Sequence, residues 1–375
     1  MAELKTQYAG LELENPLIVS AGPWSRDTST ISKALESGAS AVVTASIVSE
    51  PSPTHCPRLF YKEYSLSNIR LYSELTLEDW KKTIGETRNN GGTIIASIMG
   101  ESPSELAYLA ESVESFGANA IEIGAAAPFG EGLEIKCSDP EFVFNYTEAV
   151  TTAVKIPVAV KLSATVTNPV ACARAAERGG ASGISGIDSV RAFAGIDIET
   201  ATPYLPSLGG LSGSSVRPVS MAIISMISEA VGIPVCGIGG ISRFSHAVEY
   251  FMLGAQSVQI GSSILTNGYS NIGIILEELT AWLDNHNYRS IQELKGIVSK
   301  RISPFQDLRS DPLAAEFKTD CHKSDCMHCR NACTYDAISF TEGKINLNRN
   351  MCSGCGMCIN VCPEKLISMS WYQKG

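Results

Sequence analysis

Pro234-Val235-Cys236-Gly237-Ile238-Gly239-Gly240-Ile241-Ser242 is a short apolar run that passes through a glycine turn into a helical pattern. The same construction recurs along the chain. Apolar runs stand at Pro16–Ser20, Ala41–Ala45, Thr93–Ile98, Ala120–Ile123, Pro157–Leu162, Gly183–Ile187, Pro234–Ile238 and Ser257–Ile260. Each is too short and too rich in Val and Ile to be a globular helix. Helical periodicity fills the intervals, as at Ser104–Phe116, Glu141–Val154, Pro169–Arg178 and Pro218–Val231. Several of these end in Gly38-Ala39, Gly117-Ala118, Gly179-Gly180 or Gly254-Ala255, where glycine accepts the left-handed cap. Eight strand–helix units predict an α/β protein built as a (β/α)8 TIM barrel. Gly22 stands alone after the first run, with no G-x-G-x-x-G, so no Rossmann domain or built-in NAD(P)H site is expected.

The last 55 residues carry eight cysteines. Cys352, Cys355, Cys358 and Cys362 read C-x2-C-x2-C-x3-C and are followed by Pro363. Cys326, Cys329 and Cys333 repeat the x2 and x3 spacings. Such paired runs hold two [4Fe–4S] clusters in bacterial ferredoxins, the fourth cysteine of each run serving the other cluster. One cluster then takes Cys352, Cys355, Cys358 and Cys333; the other takes Cys326, Cys329 and Cys362. The regular position for its fourth ligand is Lys323, which cannot serve, and Cys321 is the substitute. Zinc also takes C-x2-C pairs, and a disulfide framework is a further reading, but the x3-Cys-Pro ending belongs to iron–sulfur. The expected organisation is a barrel over residues 1–310 and an α+β, ferredoxin-like two-cluster domain over 311–375.

After the seventh run comes Gly239-Gly240-Ile241-Ser242, and after the eighth Gly261-Ser262-Ser263. Two glycine turns that lead into helices form an anion cradle where barrels bind phosphate. Gly210-Leu211-Ser212-Gly213 is placed to close the same site. A phosphate anchor beside two clusters points to FMN, which exchanges single electrons with clusters and hydride with substrates. The other cysteines, Cys56, Cys137, Cys172 and Cys236, are scattered. Met1 to Tyr8 is polar and charged, so no secretory leader is expected. No apolar run approaches the roughly 20 residues that span a bilayer. The reading is a soluble cytoplasmic protein of a reducing, oxygen-poor cell. The net charge of −10 argues against nucleic acid as a partner.

These features together resemble the dihydroorotate dehydrogenase superfamily, and most closely the barrel-plus-ferredoxin part of dihydropyrimidine dehydrogenase. The resemblance runs from Asn15-Pro16 to Pro363. It is carried by Asn68-Ile69-Arg70-Leu71-Tyr72-Ser73-Glu74, Val160-Lys161-Leu162, Gly209 to Gly213 with Arg217-Pro218, Gly239-Gly240-Ile241 and the cysteine runs. It implies FMN over the barrel mouth, held by Ala21, Gly22, Thr44, Asn68, Lys161, Gly213, Gly239, Gly240, Gly261 and Ser262. Lys161 would face the pyrimidine edge of the flavin, where a cation stabilises the reduced anion.

Several positions depart from that family. Its loop after strand four carries an asparagine, a catalytic cysteine or serine, and a proline; this chain reads Gly124-Ala125-Ala126-Ala127-Pro128-Phe129-Gly130. Ala127 stands at the acid/base position, Gly124 at the asparagine, Ala45 at a flavin-contacting lysine, and Asp188-Ser189 at a substrate-binding Asn-Thr pair. Asn68 alone remains of the amides. A site built on amides rejects ligands that lack their partners, so pyrimidines are not carried over as substrates. Cys137, Glu131, His55 and Cys56 lie on loops that could supply a proton, and for Cys137 a packed loop thiol is the favoured reading over a catalytic one. The catalytic set is therefore Lys161, Asn68 and Cys137. Asp188 either binds a substrate amine or hydroxyl, or caps a turn. The expected function is an FMN- and iron–sulfur-dependent oxidoreductase acting on an activated C=C or CH–CH bond of a non-pyrimidine small molecule. Ferredoxin or a pyridine-nucleotide flavoprotein supplies electrons, and the chain is expected to pair as a homodimer. The alternatives are an electron-relay subunit with no organic substrate, a dihydropyrimidine or dihydroorotate dehydrogenase proper, and a flavin-free scaffold.

Overall fold

In a computed structural model the described residues are 2–51, 55–127, 132–309, 312–318, 321, 326–341 and 344–371. They form two compact units, Met1–Ile302 and Ser303–Gly375.

The first unit is a closed barrel of eight parallel strands. They are β1 (Leu17–Val19), β2 (Ala41–Val43), β3 (Ile94–Ile98), β4 (Ala120–Ala125), β5 (Val158–Leu162), β6 (Gly183–Gly186), β7 (Val235–Ile238) and β8 (Ser257–Ile260), neighbours in sequence being neighbours in space. All eight apolar runs are therefore barrel strands. The connecting helices are α1 (Thr28–Glu36), α2 (Leu77–Asn89), α3 (Pro103–Ser115), α4 (Pro140–Ala153), α5 (Pro169–Arg178), α6 (Arg217–Ala230), α7 (Phe244–Met252) and α8 (Asn271–Asn285).

Local chemistry sets their ends. Helices α3, α4 and α5 begin Ser-Pro, Asp-Pro and Asn-Pro: the polar side chain accepts a first-turn amide, and proline needs no partner for its missing N–H. Asp27 and Thr76 close reciprocal capping boxes on α1 and α2. Gly38, Gly117, Gly180 and Gly254 all take positive φ after their helices. In the Gly179-Gly180 pair it is the second glycine that turns.

Strand alternation divides the core in two. Leu17, Val19, Val42, Ile94, Ala96, Val158, Val160 and Ile184 pack outward against the helices. Ile18, Val43, Ile95, Ala120, Ala159 and Cys236 point into the barrel, where Tyr8, Ala9 and Leu13 join them. Those three belong to an N-terminal hairpin, Thr6–Tyr8 with Leu11–Leu13, which contributes to this inner core. Over other loops lies a four-stranded antiparallel sheet of Val190–Ala192, Gly209–Gly213, Ser65–Asn68 and Leu59–Lys62. No helix among the described residues is long and apolar enough to cross a membrane.

The second unit is α+β. Leu313–Phe317 pairs antiparallel with Ile367–Trp371, and Ile338–Thr341 with Lys344–Leu347. Each cysteine run contributes one short helical turn, His328–Asn331 and Met357–Val361. The small core mixes Ala315, Ile338 and Ile367 with the thiols of Cys329 and Cys358.

Candidate active site

The alternation that fills the barrel also builds its polar layer. Ala120 and Ala159 face inward, so Glu122 and Lys161, two residues on, do so as well. Ser185 and Gln259 meet them from β6 and β8. Ser185 Oγ donates to Glu122 Oε2 at 2.7 Å, and Gln259 Nε2 donates to the same oxygen at 2.8 Å. Lys161 Nζ stands 3.1 Å from Glu122 Oε1 and 3.7 Å from Asp188 Oδ2. Burial alone would drive the lysine towards neutrality, but Glu122 and then Asp188 more than offset it, and its pKa is raised. The lysine is thus held as an ammonium at the top of the inner layer.

Lys161 opens into a cleft at the C-terminal ends of the strands, where barrels place their chemistry. One half of the cleft is bounded by Gly239, Gly240, Gly261 and Ser262. Gly240 has φ +69°, and a Cβ there would lie 2.8 Å from Gly213 O and 2.9 Å from Arg217 Cβ. Gly261 is closed in the same way: a Cβ would sit 2.5 Å from Ser20 Oγ and 2.7 Å from the indole of Trp24. These turns present backbone because nothing larger fits. Gln259 Oε1, on the same wall, is buried without a hydrogen-bond partner among the described residues. The set fits a phosphate-bearing cofactor: bare amide turns for the anion and a lysine for the ring.

The other half of the cleft is bounded by Ala45, Met99, Gly124 and Ala127, together with Leu59, Leu66 and Tyr72. Ala21, Asn68, Lys161, Asp188, Ser189 and Ser212 belong to both halves, and Gly22 to the second. Asn68 is set by the antiparallel sheet, pairing in register with Gly210 and donating from Nδ2 to Gly210 O at 3.3 Å. Asp188 does two things at once. Its Oδ1 accepts from Ser189 N at 2.5 Å, capping the turn, while Oδ2 faces Lys161.

Three expected residues lie elsewhere. Thr44 is fully buried, its hydroxyl accepting from Ser97 N at 2.9 Å, outside the cleft lining. Gly213 backs Gly240 rather than lining the cleft. Cys137 is buried in a cluster with Val48, Met99 and Ala127, behind the cleft floor; it packs as a loop thiol. Cys56 is exposed, His55 is exposed, and neither lines the cleft. Cys172 and Cys236 are core residues, as their helix and strand positions imply, and burial raises both thiol pKa values, that of Cys172 to about 11. Pro128, Phe129, Gly130, Glu131 and Lys323 lie outside the described residues.

Sequence reasoning did not single out Glu122, Gln259 or Trp24. The signal for Glu122 was present: it is the one charge in Ala120-Ile121-Glu122-Ile123, and it occupies an inward phase. Trp24 follows Gly22-Pro23 and covers both Gly22 and Gly261, its Nε1 donating to Ser20 O at 2.6 Å.

In the second unit Cys321, Cys326, Cys329 and Cys362 line one apolar cavity. Cys329 is electrostatically coupled to Cys326 and Cys362, and Cys358 to Cys352 and Cys355. Burial raises the thiol pKa of both Cys329 and Cys358. No three described His, Cys, Asp or Glu side chains converge on a single ion position. A four-iron cluster takes one thiolate at each iron, so its ligands stand apart, and the cavity fits that arrangement.

A barrel whose β7 and β8 turns fit a phosphate, with an inward lysine, fits a flavin-binding oxidoreductase, and the cysteine runs fit an iron–sulfur motif. The sequence profile described as dihydroorotate dehydrogenase matches residues 3–283, and that of the 4Fe-4S binding domain matches residues 345–368. The chain belongs to the dihydroorotate dehydrogenase family. The family domain implies FMN, and the motif implies an iron–sulfur cluster at the second cysteine run. Similar proteins include two named dihydroorotate dehydrogenase B (NAD(+)), catalytic subunit. That of Methanocella arvoryzae is 35% identical over 299 residues, 78% of this chain and 97% of the relative. That of Methanosarcina acetivorans is 36% identical over 300 residues, 78% and 95% respectively. The crystal structure of dihydroorotate dehydrogenase from Eimeria tenella, in complex with ferulenol, shares the fold. It has TM-score 0.70, 17% identity and coverage of 79% of this chain and 88% of that one.

Proposed function

We propose that this protein is an FMN- and iron–sulfur-dependent oxidoreductase that reduces or oxidises an activated C=C or CH–CH bond of a non-pyrimidine small molecule. The observation that carries this reading is the composition of the cleft beside Lys161. Its floor is Gly124, Ala127, Met99 and Ala45, an apolar surface with no proton to give. A pyrimidine needs donors and acceptors around its ring, and unpaired ring amides disfavour binding.

FMN, when bound, exchanges hydride with the substrate and single electrons with the clusters. The chain's own residues do the rest. Gly239, Gly240, Gly261 and Ser262 hold the phosphate by backbone and hydroxyl groups. Ala21 and Gly22 border the ring, and Lys161, fixed by Glu122, keeps a positive charge at its edge. Asn68 orients ligand and cofactor from the sheet. Two [4Fe–4S] clusters are assigned to the ligand sets given above, with Cys321 completing the set whose cavity it lines.

Electrons enter from ferredoxin or a separate pyridine-nucleotide flavoprotein. NADH or NADPH with the purified chain alone is therefore expected to leave the flavin oxidised. The protein works as a cytoplasmic homodimer under oxygen-poor conditions. The test is anaerobic: the dithionite-reduced protein is mixed in turn with unsaturated acids, enones, uracil and orotate, and reoxidation is followed by absorbance. Reoxidation by a non-pyrimidine acceptor supports the reading, and reoxidation by orotate or uracil alone sinks it. The dihydroorotate reading is favoured by one finding, the names of relatives that share over a third of their residues with this chain; orotate is in the panel for that reason. An electron-relay subunit would be reoxidised by no small molecule.

A further inference from the structure

Two arginines line the same half of the cleft as its apolar floor. Arg58 and Arg70 both line the cavity. Arg70 is fixed by its Nε, which donates to Tyr72 O at 2.9 Å. Its Nη1 is buried and makes no hydrogen bond among the described residues. Its ion-pair partner among the described residues, Glu74 Oε1, lies 3.7 Å away, too far to satisfy the donor. The same oxygen is already shared with Arg58 Nη1 at 3.4 Å. Burial pulls the Arg70 pKa down, Glu74 opposes this, and Arg58 and Arg26 add to the lowering. A half-buried guanidinium with one buried, unused donor at a cavity wall is a costly arrangement unless an oxygen anion completes it.

We infer that the cleft recognises a carboxylate on an otherwise apolar small molecule, bound by Arg70 with Arg58 beside it. Among the described residues two guanidiniums of this wall, Arg58 and Arg70, share one carboxylate, Glu74, which favours an anionic group on the ligand. The guanidinium fork matches a carboxylate in bidentate geometry. The rest of the ligand meets Leu59, Leu66, Leu71, Met99 and Ala127, which favour a hydrocarbon body. The inference rests on the small-molecule reading above and narrows its substrate to unsaturated acids.

The test is a binding measurement on the full-length protein as isolated without oxygen. Crotonate, trans-cinnamate, cinnamamide and phenylphosphonate are titrated by calorimetry. Cinnamate is expected to bind at least about tenfold more tightly than the isosteric amide, as expected for a hydrogen bond to a charged group. Arg70→Met should bring the acid down to the amide. Glu74→Gln removes the competing carboxylate and should tighten the acid while leaving the amide unchanged, which keeps the test readable should Arg70→Met misfold. Equal binding of acid and amide, or no binding of either acid up to about 10 mM, would overturn the inference. Tighter binding of the phosphonate would overturn it in favour of a phosphate ligand. Failure of the redox reading shows separately, as missing FMN or iron in the same sample, and does not alter the acid-to-amide comparison.

Discussion

The two halves of the cleft are made of different material. The half at β7 and β8 is backbone: Gly239, Gly240 and Gly261 present amides because a side chain has no room. The half at β2 to β4 is made of small side chains and is open to exchange: Ala45, Gly124 and Ala127 form its floor. A cofactor cradle made of backbone is hard to alter without breaking the barrel. A ligand wall made of side chains changes by single substitutions. Family membership therefore carries over the cofactor end of the site far better than the substrate end.

The sharpest way to break this contrast is at Gly240. Gly240→Val, forced into positive φ against Gly213 O and Arg217, should strip most of the FMN, measured as flavin released per chain. Retention of a full complement would show that the backbone turn does not hold the phosphate. The inner polar layer comes next. Lys161→Met leaves Glu122 buried and uncompensated, and should cost about 3–5 kcal/mol in chemical denaturation. Adding Glu122→Gln should recover much of that loss; if it does not, the pair is not the main source of the layer's stability.

Cys321→Ser sharpens the comparison between the cysteine runs. It should remove about half of the iron while leaving the Cys352–Cys355–Cys358 cluster's signal intact. An unchanged iron content would remove Cys321 from the ligand set. A smaller effect belongs to His246, near the β7 turn. Burial, then Arg217 and Arg243, hold its pKa down, to about 4. The folded state therefore binds its proton less readily than the unfolded state, whose pKa is near 6.5. The associated stability is complete above about pH 6.5 and is lost as pH falls towards 4. His246→Gln should flatten that acid slope in urea denaturation curves. The smallest change expected is at Ala127→Cys, which should not create turnover of uracil, thymine or orotate, because the ring amides stay absent.

The barrel was legible because its strands are separated by helices with strong end signals: a cap-proline pair at Pro103, Pro140 and Pro169, and a positive-φ glycine beyond. The inward direction of Lys161 was legible too. Its partner was not, because Glu122 sits 39 positions upstream in sequence and meets Lys161 only when β4 and β5 pair. Arg58 and Arg70 were hidden for the same reason, since their place in the cleft depends on the antiparallel sheet laid over the loops. Thr44 shows the limit of matching positions to a family: one residue before the cleft-lining Ala45 and Ser46, its hydroxyl is already taken by Ser97 N.

Cofactor content tests the account most directly. Protein purified without oxygen should carry about one FMN and about eight irons per chain. About four irons with full flavin would show that the upstream cysteine run holds no cluster. A folded, iron-loaded chain that neither retains nor takes up FMN would contradict the account at its centre.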